Sequence, residues 1–338
     1  MATEPGLARA VELLGAPPIS LGSYPTAVDR LPTLERNDSV LWVKRDDLTG
    51  DVYGGSKVRK LEYLLAEARR RGKKKILTMG AVGSHHVLAT SVYGKLHGFE
   101  VGALLVPQPR TPHVVMNVRA DLAQGLHATA ASYATLPLRA WLAMDDDTYF
   151  VTLGGSSPLG SLGYVAAAVE LAAQIERGEL QTPDRVYVAL GSGGTAAGLA
   201  VGLALAGVKT RVVAVAVSKP VFVLRFMVRR LVRKVARACG VDEGLALAGI
   251  EVDGRWVGDG YGYATTHAAR AIDHGCEAGI LLDATYTGKA FGAALARMEE
   301  TGREKILFWH TLSSRPLEPL LGAGAGGEVP EDISRLMR

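Results

Sequence analysis

Only two cysteines, Cys239 and Cys276, occur in 338 residues, and they lack CxxC spacing. That leaves no basis for a disulfide framework or a thiolate metal site, so no metal is expected. Aromatic residues make up 6% of the chain and do not interleave with its basic runs. Zinc-finger spacing is missing too, so nucleic acid is not an expected partner. This holds although Arg69-Arg70-Arg71, Lys73-Lys74-Lys75 and the stretch from Arg225 to Arg237 carry much of a basic excess that totals only +4. No apolar run approaches the roughly 18–20 residues of a membrane span. Met1-Ala2-Thr3-Glu4-Pro5 lacks the basic–apolar–small order of a secretory signal. A cytoplasmic protein without a membrane partner is the expectation.

Glycine, by contrast, is abundant: 40 residues in a chain with no internal repeat. Glycine at that level outside collagen or disorder points to many tight turns between strands and helices. The hydrophobic pattern agrees. Val40–Lys44, Lys75–Met79, Val101–Val106, Ala128–Ala130, Tyr149–Val151, Arg185–Leu190 and Arg211–Val217 read as strands. Between them, helical spacing is found over Lys57–Arg71, Val87–His97, Val114–Gln124, Ser161–Arg177 and Ala196–Leu205. Strand–helix alternation predicts an α/β protein with mostly parallel sheets covered on both faces. Ligands of such sheets sit at the carboxyl ends of the strands. Val221 to Arg237 reads as an amphipathic basic helix, with Arg225, Arg229, Arg233 and Arg237 at every fourth position; a solvated helix of the larger domain is the expectation, and a membrane-surface or partner-binding role is the alternative. The glycine-rich Gly322–Gly327 tail reads as a short flexible segment without a function.

Three turns could carry chemistry. Gly54-Gly55-Ser56-Lys57 places a lysine at the mouth of a helix. The positive end of a helix disfavours added charge and helps the amine stay neutral, the form that makes a Schiff base with an aldehyde; a plain surface lysine is the alternative. Gly191-Ser192-Gly193-Gly194-Thr195 lies between a strand and a helix, where backbone N–H groups, hydroxyls and the helix terminus favour a phosphate. Gly191, Gly193 and Ala196 also satisfy GxGxxA, but the next strand ends in Ser218-Lys219 rather than an acidic residue, which argues against a dinucleotide. In Gly83-Ser84-His85-His86, Ser84 could act as nucleophile, proton carrier or helix cap, and His85 as a donor to an anionic oxygen. Tyr286, after an apolar strand Ile280-Leu281-Leu282, and Tyr261, between glycines, could stack on a ring, deliver a proton or pack in the core.

Taken in order, Leu21-Gly22-Ser23-Tyr24-Pro25-Thr26, Lys44-Arg45-Asp46-Asp47-Leu48-Thr49, Gly54 to Glu62 and Gly154 to Gly160 with Gly163-Tyr164-Val165 resemble one family. The phosphate turn, Tyr286-Thr287-Gly288-Lys289-Ala290 and Trp309-His310-Thr311 complete the match. It is the group of pyridoxal-phosphate enzymes containing D-cysteine desulfhydrase and 1-aminocyclopropane-1-carboxylate deaminase, of fold type II. The resemblance implies two α/β domains, a smaller one over 60–165 and a larger one over 1–59 and 166–338, and a homodimer. It implies that Lys57 holds pyridoxal 5'-phosphate as a Schiff base. Gly191, Ser192, Gly193, Gly194 and Thr195 would bind the phosphate, and His85, Thr287 and Thr311 would contact the cofactor.

By the same resemblance a small amino-acid substrate would meet Ser84, His85, His86 and Tyr164. Lys57 or Ser84 would take the Cα proton, and Tyr286 or Tyr261 would assist the departing group. The implied reaction is α,β-elimination on a small amino acid such as D-cysteine, giving a 2-oxo acid and ammonia. β-Replacement, racemisation, ring-opening deamination and a non-catalytic cofactor-binding role are the rivals. In the ring-opening deaminases a glutamate follows the tyrosine and bonds the pyridine nitrogen; here Thr287 stands there, which predicts a weaker electron sink and disfavours cyclopropane opening. His85 and Ser56 replace asparagines of the family pattern, and Leu312 replaces a glycine.

Overall fold

The structure is a computed structural model and describes residues 3–322 and 328–338; most of the expected flexible tail, Ala323 to Gly327, lies outside the described residues. Among the described residues, ten strands alternate with helices along the chain. β1 (Val28–Arg30) and β2 (Val40–Lys44) come first, followed by β3 (Lys75–Ala81), β4 (Glu100–Val106), β5 (His127–Ala130) and β6 (Thr148–Phe150). β7 (Arg185–Leu190), β8 (Arg211–Ala216), β9 (Ile250–Asp253) and β10 (Lys305–Trp309) complete them. They form two sheets. One has four parallel strands in the order β5-β4-β3-β6. The other has the order β1-β2-β10-β7-β8-β9, parallel except for the edge pair β1–β2. Parallel strands need crossovers, and the helices supply them, which is why the strands themselves read as continuous apolar runs.

Lys57–Arg70 packs against Pro158–Glu176, which in turn packs against Gly194–Leu205. Gly198 and Gly202 make the second contact possible: a Cβ on Gly198 would lie 2.4 Å from the Ser161 carbonyl oxygen. Pro158–Glu176 overturns one expectation, since by length and composition it could cross a membrane. Here Leu162, Tyr164, Val165, Ala168 and Leu171 are fully buried in the protein core instead.

Two further expectations change. Ile280–Leu282 is not a strand; the Ile280 N–H closes the end of the preceding helix on the Gly275 carbonyl, and both Ile280 and Leu282 simply bury their side chains. The basic helix extends over Val221–Cys239 and buries Val228, Leu231, Val232 and Val235 against Gly194–Leu205 and the helix Thr3–Leu14. Its arginines lie on the outer side, where Arg237 pairs with Glu243.

Candidate active site

The carboxyl ends of β3, β7 and β10 face a cavity of about 510 Å³ between the sheets. It is lined by Lys57, Ser84, His85, His86, Tyr261 and Tyr286, among others. The same cavity meets Gly191, Ser192, Gly193, Thr195, Thr287 and Thr311. Residues far apart in sequence therefore meet where sheet topology predicts a ligand.

Lys57 is the first residue of its helix. The preceding turn is held by close backbone approach: Gly55 has φ 86°, and a Cβ there would lie 2.7 Å from the Thr311 carbonyl oxygen. Ser56 N–H donates to that same oxygen at 3.0 Å, tying the lysine turn to the end of β10. Lys57 Nζ donates to Ser56 Oγ at 2.8 Å. Burial pushes its ammonium down to about 8, against an opposing pull from the Asp283 carboxylate. A cavity-wall amine near neutrality is what a carbonyl-trapping lysine requires.

The glycine turn between β7 and Gly194–Leu205 forms the other end. Gly193, at φ 94°, turns the chain so that the N-terminus of the helix faces the cavity. Ser156 Oγ accepts from Gly194 N–H at 2.9 Å and bonds Ser192 Oγ at 2.7 Å. Lys60 Nζ donates to the Gly154 carbonyl at 3.1 Å, and a Cβ on Gly194 would meet Ser156 Oγ at 2.6 Å and Lys60 Nζ at 3.1 Å. This close-fitting glycine cradle, two hydroxyls and an ammonium suit a phosphate dianion. Burial, with the nearby charge of Lys57, holds the Lys60 ammonium well below the ordinary lysine range, a deficit that an anion would reverse. Lys60 and Ser156 were not expected as site residues, although both lie within motifs the sequence displays.

On the opposite wall Tyr286 Oη donates to Tyr261 Oη at 2.7 Å, with the rings edge to face. A Cβ on Gly191 would lie 3.3 Å from the Tyr286 ring, so glycine keeps that ring against the phosphate turn. Burial pushes the Tyr261 phenol up to about 12, and its proton stays on at neutral pH. The sequence also did not single out Asp283. Its carboxylate accepts from the N–H groups of Thr285, Tyr286 and Thr287 and from Thr287 Oγ1, at 2.6–3.0 Å. Burial alone would raise Asp283, but its charged and hydrogen-bonding surroundings hold it below the usual carboxylate range.

Ser84 both caps its helix, accepting from His86 N–H at 3.2 Å, and lines the cavity. His86 touches the cavity but is anchored behind it, Nε2 bonding Thr78 Oγ1 at 2.9 Å. Leu312, which replaces a family glycine, is buried on the wall. Tyr164 is a correction. It does not line the cavity: its ring is fully buried and its hydroxyl donates to Asp46 at 2.9 Å. Asp46 gathers further donors from Arg59, Trp309 and Thr26, and Arg59 pairs also with Glu170. The Lys44-Arg45-Asp46-Asp47 motif thus supplies a buried ionic knot behind the lysine helix.

These residues fit pyridoxal phosphate: an amine for its aldehyde, and a cradle for its phosphate with too little room for a larger side chain. Residues 19–311 match the family model described as pyridoxal-phosphate dependent enzyme. A Pyrococcus furiosus protein provisionally named 1-aminocyclopropane-1-carboxylate deaminase is 36% identical over 87% of this chain and 91% of its own. D-cysteine desulfhydrase of Serratia proteamaculans is 35% identical, over 80% of this chain and 86% of its own. The solved structure of an ACC deaminase homologue superposes with a TM-score of 0.77 at 33% identity, covering 91% of this chain and 94% of that one. The chain is a fold-type-II member of the pyridoxal-phosphate dependent enzyme family.

Proposed function

We propose that the protein catalyses α,β-elimination on a small amino acid such as D-cysteine, releasing a 2-oxo acid, ammonia and the β-substituent. The observation that carries this reading is one cavity holding a lysine that burial brings down to about 8, an anion cradle and a protonated tyrosine pair on the facing wall. Pyridoxal phosphate, when bound, supplies an electron sink for negative charge at Cα. Lys57 would hold it, and the Gly191–Thr195 turn, Ser156 and Lys60 would take its phosphate. Lys57 and Ser84 then stand as carriers for the Cα proton. Because Tyr286 donates to Tyr261, the Tyr261 hydroxyl proton is the one left for a departing thiolate.

Ring-opening deamination is the second reading, supported by the Asp283 carboxylate behind Thr287. The test is incubation of the cofactor-loaded protein with D-cysteine and with 1-aminocyclopropane-1-carboxylate. Elimination yields pyruvate and sulfide from the first; the second reading yields 2-oxobutanoate from the second. Borohydride reduction with peptide mapping should place the cofactor on Lys57, and Lys57→Ala should lose at least about 100-fold in turnover. Full turnover in that variant would refute both readings.

A further inference from the structure

Tyr261 sits in a stretch with no helix or strand of its own. Between β9 and the helix Thr266–Glu277 the chain runs through turns, and Gly258, Gly260 and Gly262 all have φ between 61° and 133°. Glycines at such angles allow a backbone to swing unless something ties it. Here the ties come from one place. Among the described residues, the side chains that hydrogen-bond residues 257–261 are Lys289 and Tyr286, both at the start of the helix Thr287–Thr301. Lys289 Nζ donates to the Val257 carbonyl at 2.8 Å and to the Gly260 carbonyl at 2.9 Å.

The Lys289 side chain is fully buried, and its hydrogen-bond partners are backbone carbonyls rather than a carboxylate. Packing alone gives no reason for a charge at this depth, because an apolar side chain would fill the space without the cost of desolvation. A charged donor makes stronger hydrogen bonds than a neutral one. Burial lowers the Lys289 pKa, Asp283 and Asp259 oppose that shift, and Lys219 adds to it. Tyr286 holds the hydroxyl of Tyr261, and Lys289 holds its backbone through the Gly260 carbonyl. Both ends of that side chain are thus fixed to one helix start. With Tyr286 alone, the Tyr261 ring could pivot about its hydroxyl.

We propose that Lys289 is a positioning residue: by tying the Tyr261 loop to the helix that begins beside Tyr286, it aims the Tyr261 hydroxyl at the departing group. The inference rests on the elimination proposed above, in which Tyr261 supplies a proton. As the Cβ–S bond breaks, its electron pair stays on sulfur and the pair at Cα closes the new Cα–Cβ bond. The Tyr261 O–H bond breaks and an S–H bond forms. Tyr286 still donates to the phenolate so left, which regains its proton from water. Nothing is oxidised or reduced by an outside reagent, and Lys289 exchanges no proton.

β-Chloro-D-alanine separates aim from mere structure, because chloride departs without a proton whereas a thiolate gains from one. Lys289→Met should lower kcat about ten times more for D-cysteine than for β-chloro-D-alanine, with KM for D-cysteine within about twofold of the parent. Added to Tyr261→Phe, the same change should lower kcat for D-cysteine by less than about twofold further, since its effect runs through the hydroxyl already removed. In the cofactor-free protein, amide hydrogen exchange over residues 257–262 should quicken about tenfold while β7 and β10 keep their rates. Lys289→Gln restores a neutral donor and should recover part of the lost turnover on D-cysteine. It carries the same comparisons should Lys289→Met fail to fold. Equal losses on the two substrates, losses that multiply in the double variant, or unchanged exchange would each overturn the tether. A parent inactive on both amino acids would instead overturn the proposed elimination, and the exchange rates would still decide whether Lys289 holds the loop.

Discussion

Attachment of the cofactor should report the state of Lys57 directly. An ordinary lysine titrates near 10.4, so only about 0.04% is neutral at pH 7. Burial brings Lys57 down to about 8, which leaves about 10% neutral, a gain of roughly 200-fold in the reactive form. The sign follows from the cause: a low-dielectric wall penalises the charged amine, and the Asp283 carboxylate only partly opposes it. The assay is visible absorbance of cofactor-free protein mixed with pyridoxal phosphate across a pH series. The attachment rate should rise about tenfold per pH unit up to about 8 and then level off. Asp283→Asn removes the opposing charge and should move that plateau to lower pH. A rate that climbs steadily to pH 10, or a plateau that moves upward in Asp283→Asn, would refute the argument that burial tunes this amine.

The ionic knot and the tyrosine that joins it should behave as structure, not as substrate contacts. Asp46→Ala leaves the Arg59 guanidinium short of its main buried partner and should cost about 3–5 kcal/mol, seen as an unfolding midpoint lower by about 5–10 °C. Burial alone would raise Asp46, but Arg59 prevails and depresses it, so its stabilisation is present above the unfolded carboxyl pKa and lost as pH falls through the lowered folded value. Tyr164→Phe should lose about 1 kcal/mol of stability with KM unchanged; a raised KM would contradict its place in the core. Gly193→Ala should weaken cofactor retention about tenfold in dialysis against buffer, because alanine resists the left-handed turn by about 1–2 kcal/mol.

Strand–helix alternation and the parallel sheets were legible in the sequence because buried parallel strands leave continuous apolar runs between glycine turns. Lys57, the Gly191–Thr195 turn and Tyr286 stand out in the sequence for a related reason, each at a turn beside a helix start, and the structure brings them to one cavity. What was hidden depends on distant segments meeting. Lys60 reaches Gly154, and His113 reaches His85 from the helix Pro112–Ala123. No spacing in the chain announces either contact. Tyr164 was misplaced for the opposite reason. It sits in a recognisable motif, but the motif's helix turns that side chain toward Asp46 and away from the cavity.

Asp283 alters the reasoning from position 287 most. A lone hydroxyl at Thr287 argued for a weak electron sink and against cyclopropane opening. The structure does not leave that hydroxyl alone. Thr287 Oγ1 gives its proton to Asp283 at 2.6 Å and accepts from the Asp283 N–H at 2.8 Å. With its one donor committed, the oxygen can offer a neighbour only a lone pair, backed by the carboxylate's charge. A protonated ring nitrogen would be accepted there, and an unprotonated one would find no donor. Were the ring nitrogen to meet Thr287, as the resemblance implies, the Asp283 charge would lie one hydrogen bond behind it, and the identity of residue 287 would not separate elimination from ring opening. The separation passes to the pocket walls, where His85 is held by Tyr53 and His113 and Leu312 fills space that glycine would leave open.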